Sequence, residues 1–184
     1  MKNNYEIRGD VTVIFIRHKG RIVETFIDTV DLPKVASHPR SWFAIVNTVT
    51  RPDKLRVFAH NDERKTFYLH RYVTDAPPDV EVDHINCDPM DNRKANLRFS
   101  TKTTNGQNRE AANRNSVTGI RGVSPDPVVA GCWAIDVSSI EGKRIRQRFH
   151  GPLEQAAKIV AELRAKHQPY SKEGTQVAKI PGNC

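Results

Sequence analysis

Asp83 and His84 are adjacent in the sequence, Asn96 follows twelve residues after the histidine, and Asn105 nine residues after that. A carboxylate and an amide oxygen are hard ligands. They suit Mg²⁺ or Mn²⁺, and two of them leave coordination positions for water and phosphate. A neighbouring imidazole can take a proton from water near neutral pH. Each residue alone has an ordinary structural use, because an Asp-His pair often caps a turn and a loop asparagine often satisfies backbone groups. The joint spacing carries more than any one of them.

Bringing these groups together requires a strand, a loop, a second strand and a helix. Val80–His84 reads as a strand running into a polar loop, Ile85 to Ala95. Asn96–Phe99 is a second short strand, and Ser100 can cap a helix starting near Thr101, a reading that Gly106 weakens. Side chains alternate along a regular strand. Asp83 and His84 therefore serve one site only if the strand ends or bulges there, and the polar loop permits that. Upstream, Leu69–Val73 is short and apolar, and Asp75–Asp79 with its two prolines must break it.

The order Leu69-His-Arg71, Val82-Asp-His-Ile-Asn86, Asp91-Asn92, Asn96-Leu-Arg98 and Asn105-Gly-Gln-Asn108 resembles the HNH endonuclease family, in its phage and intron homing branch, over about residues 66–110. The resemblance implies a ββα-metal core in which Asp83 and Asn105 hold one divalent metal, Mg²⁺ or Mn²⁺. It implies that His84 activates the attacking water and that Asn96 orients that histidine by binding backbone across the loop. Of the His70-Arg71 pair, His70 reads as structural and Arg71 as a phosphate contact; Arg98 is a further DNA-contact candidate. The implied reaction is hydrolysis of duplex DNA to 5′-phosphate and 3′-hydroxyl ends. The chain has Asn where other HNH branches have a final metal-binding His, and it lacks the zinc-binding cysteines of some relatives.

The C-terminal third reads as a separate unit. Gly119–Ser124, Cys132–Ser138 and Arg144–Phe149 are three candidate strands, and Leu153–Lys166 is an amphipathic helix. Arg144, Arg146 and Arg148 share one strand face, with Ile145 on the other. Three guanidiniums in a row suit guanine or phosphate. Arg121-Gly-Val123, Gly131-Cys-Trp-Ala-Ile135, Gly142-Lys-Arg144, Phe149 and Glu154-Gln-Ala-Ala157 resemble the ethylene-response-factor type of DNA-binding domain. That resemblance makes Arg121, Trp133, Arg144, Arg146 and Arg148 DNA-binding candidates, although Trp133 reads equally as a core aromatic. The Pro125–Ala130 connection departs from that family.

The remaining signals bound the class. The chain has 184 residues, 38% hydrophobic and 27% charged, and a net charge of +8. Residues 1–58 carry 10 basic and 6 acidic side chains, residues 59–116 carry 9 of each, and residues 117–170 carry 8 and 5. Two basic flanks around a neutral centre fit a polyanion partner. No apolar run is long enough to span a membrane and no secretory signal is legible, so a cytoplasmic setting in a bacterial or phage-infected host is expected. Three cysteines without a CxxC pair give neither a disulfide scaffold nor a structural zinc site. The expected fold is α+β: a β-rich N-terminal module over 1–58, with Trp42 and Phe43 in its core, then a nuclease core over 59–110. A linker over 111–118, a three-strand-plus-helix DNA-binding domain over 119–170 and a tail over 171–184 complete it. The expected partner is double-stranded DNA, with no membrane, acted on by a monomer or homodimer. A catalytically inactive DNA-binding regulator and a nuclease for RNA or branched substrates are the competing functions.

Overall fold

The computed structural model describes residues 1–48, 51–109 and 112–174. It is a mixed α+β fold with several small sheets and few helices. The chain divides into two compact units, Met1–Thr101 and Lys102–Cys184. Residues 175–184, most of the expected tail, lie outside the described residues.

The first unit opens with β1 (Tyr5–Arg8), β2 (Val11–His18) and β3 (Arg21–Asp28), paired antiparallel in that order. Lys19 and Gly20, both at positive φ (47° and 79°), make the two-residue turn that joins β2 to β3. The short α1 (Leu32–Ala36) has Pro33 in its first turn, where the missing N–H costs nothing. A second antiparallel sheet joins β4 (Phe43–Thr48), β5 (Arg51–His60) and β6 (Thr66–Tyr68), and α2 (Leu69–Thr74) follows directly. The apolar Leu69–Val73 run is thus a helix, stopped at Asp75 in the left-handed conformation (φ 51°) ahead of Pro77 and Pro78. β7 (Glu81–His84) and β8 (Leu97–Ser100) form a two-stranded pair.

One hydrophobic core serves these elements apart from β1. Ile14 and Ile16 of β2, Ile27 of β3, Val57 of β5, Leu69 and Val73 of α2, Val82 of β7 and Leu97 of β8 are buried together. Residues from the N-terminal 58 and from the stretch that follows therefore fill the same interior. Trp42 is 1% exposed and packs against Phe67 and Tyr72. Phe43, expected in the core, is instead 44% exposed. Successive strand residues face opposite sides, so burying Trp42 turns Phe43 outward.

The second unit begins with α3 (Lys102–Gln107) and holds β9 (Val123–Pro125), β10 (Cys132–Ser138) and β11 (Arg144–His150), ordered β11-β10-β9. The helix α4 (Leu153–His167) buries Ala156 and Val160 against Val123, Ile135 and Val137. Gly122 allows this close approach: it sits at φ +80°, and a Cβ there would lie 2.7 Å from the Asp136 carbonyl oxygen. β9 is shorter than the Gly119–Ser124 expectation, because only Val123–Pro125 pairs with β10. β1 had no sequence signal: all four of its residues are exposed, so no buried alternation marks it.

Candidate active site

The β7–β8 pair sets Asp83 opposite Arg98 and His84 opposite Leu97, and β7 ends at His84. The loop between them closes on itself through Asn96. Its Oδ1 accepts the Asn86 backbone N–H (3.0 Å), and its Nδ2 donates to Asn86 Oδ1 (2.9 Å) and to the Asp91 carbonyl (2.8 Å). Asp91 in turn takes both a bidentate Arg93 (2.7 Å for each bond) and Asn86 Nδ2 (3.1 Å). Asn96 thus reaches across the loop to Asn86 and Asp91, and the residue bonded to the imidazole is Asn92.

That loop is spliced onto β3. The Phe26 N–H donates to the Met90 carbonyl (2.9 Å), and the Asn92 N–H donates to the Phe26 carbonyl (2.8 Å). Phe26 and Asp91 make a parallel bridge. Asn92, 1% exposed, donates through Nδ2 to Thr25 Oγ1 (2.9 Å) and to the Pro89 and Met90 carbonyls (3.3 Å each). Carbonyls only accept, so the amide NH₂ faces them and Oδ1 faces His84 Nε2 at 3.3 Å. An acceptor at that point calls for the imidazole proton on Nε2 and leaves Nδ1 as the basic nitrogen. The hydroxyl of Thr25 donates to the Met90 carbonyl (2.7 Å), which fixes it as the acceptor for Asn92.

Burial keeps this imidazole unprotonated. His84 is 9% exposed, and desolvation pushes its pKa below the ordinary histidine range. The Asn92 bond and the Asp83 and Asp88 charges pull it partly back. His70 meets the His84 ring edge at 5.2 Å and stacks on Tyr68 at 5.7 Å. Its own pKa is pushed down to about 3, by burial first and then by the neighbouring His84, Arg56 and Arg71 side chains, which disfavour a second positive charge there. Two neutral imidazoles therefore lie against each other at neutral pH.

Asp83 is 8% exposed and accepts Arg98 Nε (3.1 Å) and Nη2 (2.8 Å) on Oδ2. Among the described residues no hydrogen bond is made to its Oδ1. Among the described residues, no three His, Cys, Asp or Glu side chains gather as a metal cage. One carboxylate with an open oxygen fits a hard cation of the Mg²⁺ type, which uses one or two carboxylates and keeps waters or substrate phosphate. Asn105 lies on α3, in the second unit.

The expected DNA contacts are engaged as follows. Arg71 donates to the carbonyls of Val80, Ala76 and Pro77, holding the turn after α2. Arg121 donates to the carbonyls of Gln107 and Arg109 and to Gln168 Oε1 (2.9 Å). Trp133 packs against the second core and donates Nε1–H to the Gly151 carbonyl (2.9 Å). Arg144, Arg146 and Arg148 are exposed on one face of β11. Arg144 and Arg146 share Asp136 (2.7 and 2.9 Å), and Arg148 binds Asp126 (2.6 Å). Asp126 is held down to about 2, first by Arg148 and then by the Val129 and Val128 backbone N–H groups.

Sequence reasoning missed Thr25 and gave Asn92 no role. The Asp91-Asn92 pair stood in the motif, but only the pairing of the loop with β3 shows what Asn92 touches. No curated protein and no solved structure matches the chain significantly. Residues 69–107, from the start of α2 to the end of α3, match the family model described as HNH endonuclease.

Proposed function

We propose that the chain is a metal-dependent DNA endonuclease of the HNH homing type. The observation that carries this reading is the neutral, buried imidazole of His84, whose Nε2 proton is held by Asn92, one residue along from an acidic group with an open oxygen. The endonuclease family match over 69–107 supports it.

In this reading His84 Nδ1 takes the proton of an in-line water. Asn92 holds the ring so that Nδ1, not Nε2, carries the lone pair. Asp83, with Asn105, would hold a divalent metal, Mg²⁺ or Mn²⁺, which when bound supplies charge neutralisation at the scissile phosphate. Asn96 keeps the loop between β7 and β8 closed. Arg98, now on Asp83 Oδ2, is poised to neutralise phosphate charge next to that carboxylate. The products are 5′-phosphate and 3′-hydroxyl ends. Three antiparallel strands on one helix, with three arginines on the outer face, support an ethylene-response-factor-like role for the second unit in holding duplex DNA.

The test is nicking of supercoiled plasmid in Mg²⁺. His84→Ala should bind DNA as the wild type does and cut at least about a hundredfold more slowly. Asp83→Ala should lose its response to added metal, and a chelator should stop the wild type. Undiminished cutting by His84→Ala removes the assignment. One observation favours a second reading, a DNA-binding regulator without catalysis: Arg98 already neutralises Asp83. In that case no Mg²⁺ or Mn²⁺ concentration yields a nick, while duplex binding persists.

A further inference from the structure

The sheet β4–β5–β6 turns one face to the core and the other to solvent, and the solvent face has an unusual composition. Val57, Ala59 and Phe67 point inward. The alternate residues, Phe43, Ile45, Arg56, Phe58 and Tyr68, form the outer face. Phe43 pairs with Phe58, which pairs with Tyr68, so three rings run in one row across three strands. Phe43 and Phe58 are 5.8 Å apart at 35°. Phe43 and Ile45 are 44% and 51% exposed, apolar area that nothing among the described residues covers.

The row leads to the candidate active site. Tyr68 stacks on His70, and His70 meets His84. The Arg56 guanidinium lies 5.0 Å over the Tyr68 ring, and its charge is felt at both His70 and His84. Lys54, on the same strand, donates to the carbonyl of Cys87 in the active-site loop (3.0 Å). Among the described residues neither Arg56 nor Lys54 pairs with a carboxylate, and the outward residues Phe43, Ile45, Arg56, Phe58 and Tyr68 include no acid. The arginines of β11, in contrast, are each bound to an aspartate.

We propose that this outer face binds unpaired nucleotides of the DNA strand entering the His84 site, with bases stacked on Phe43 and Phe58 and phosphate on Arg56. Exposed rings beside uncompensated cations match the two halves of a nucleotide, the base and its phosphate. A paired base inside a duplex presents only its edge, so such rings need a base that has left the stack. A second copy of the chain fits poorly, because pairing this face with itself opposes cation to cation. The inference rests on the nuclease reading for its place next to the cut, but the binding it describes does not require cutting.

The test uses the full chain in a chelator, with fluorescence anisotropy on three labelled oligonucleotides of equal length: a duplex, the same duplex with a four-nucleotide bubble, and the single strand. The wild type should prefer the bubble to the duplex. Phe43→Ala should weaken bubble binding by about fivefold or more and leave duplex binding nearly unchanged. Phe43→Leu, which keeps apolar bulk and removes the ring, should behave like the alanine variant. Arg56→Gln should reduce the slope of log affinity against log salt by about one. Bubble binding by both Phe43 variants within twofold of the wild type, with native circular dichroism, overturns the proposal. So does a wild-type dimer that Phe43→Ala converts to monomer in sedimentation without altering DNA binding. Failure of the nuclease reading is distinct: no cutting by the wild type in Mg²⁺, with the bubble preference intact.

Discussion

Replacing Asn92 with alanine separates the positioning of the His84 imidazole from its chemistry. The Nε2–Oδ1 distance of 3.3 Å is longer than the usual 2.9–3.0 Å for N–H···O, so the bond itself is worth the lower part of about 0.5–1.5 kcal/mol. Removing the acceptor has a larger effect than that. It strands a donor on a ring only 9% exposed, at a cost of about 1–3 kcal/mol, and releases the ring to the other tautomer. If that cost falls on the transition state, at about 1.4 kcal/mol per tenfold, kcat drops by about 5- to 150-fold. DNA affinity should not change, because Asn92 is 1% exposed. The lost donors to Thr25, Pro89 and Met90 cost stability as well, about 1–3 kcal/mol, within the margin of an ordinary domain. Single-turnover nicking of supercoiled plasmid in Mg²⁺ reads the first effect, and denaturant unfolding reads the second. Thr25→Val supplies the control, because Thr25 touches the amide and not the imidazole. Its loss should slow cutting less than Asn92→Ala does, and the double variant should be no slower than Asn92→Ala alone. Nitrogen-15 shifts of the His84 ring should report Nε2–H in the wild type and a mixture in Asn92→Ala. A folded Asn92→Ala protein that cuts within twofold of wild type refutes the reasoning.

His70 should make the first unit sensitive to acid. Its folded pKa, about 3, lies below the 6.5 of an exposed histidine, so the unfolded chain binds the extra proton between those values. Its contribution is complete above about pH 6.5 and is lost as the pH falls toward about 3. Urea unfolding at pH 7 and pH 4.5 should show a smaller acid loss in His70→Gln than in wild type; equal losses would dismiss this account. Arg146→Gln should lower the salt slope of duplex binding by about one, as measured by anisotropy titrations at several ionic strengths. No change in slope would mean that Asp136 already consumes the charge of Arg146. Gly122→Ala should destabilise the second unit by more than about 1 kcal/mol in thermal unfolding, because it puts a Cβ at positive φ and 2.7 Å from a backbone oxygen.

The parts of the fold that were legible are those with strong local signals. The Val11–Ile27 hairpin, the Arg144–Phe149 alternation and the helix from Leu153 each pair a clean hydrophobic period with a turn or stop residue. The two-stranded Asp83–His84 frame and its loop were legible from the spacing of short polar residues. What escaped was tertiary. Nothing local to Thr25 says that its hydroxyl will meet Asn92, sixty-seven residues away. The outward turn of Phe43 depends on which neighbour wins the core, and Trp42 wins with the larger surface to bury. The carbonyl-binding role of Arg71 likewise depends on how the Asp75–Val80 turn folds back over α2.

The edge pairing of Phe26 with Met90 and Asn92 bears on how the protein can be re-engineered. A graft limited to the stretch from α2 to α3 would carry Asp83, His84 and Asn105, yet leave behind the strand that keeps the loop in register. Such a chimera would arrive with all its reagents and no clamp. The smallest portable cassette therefore starts upstream at Val11, so that the β2–β3 ribbon travels with the loop it braces.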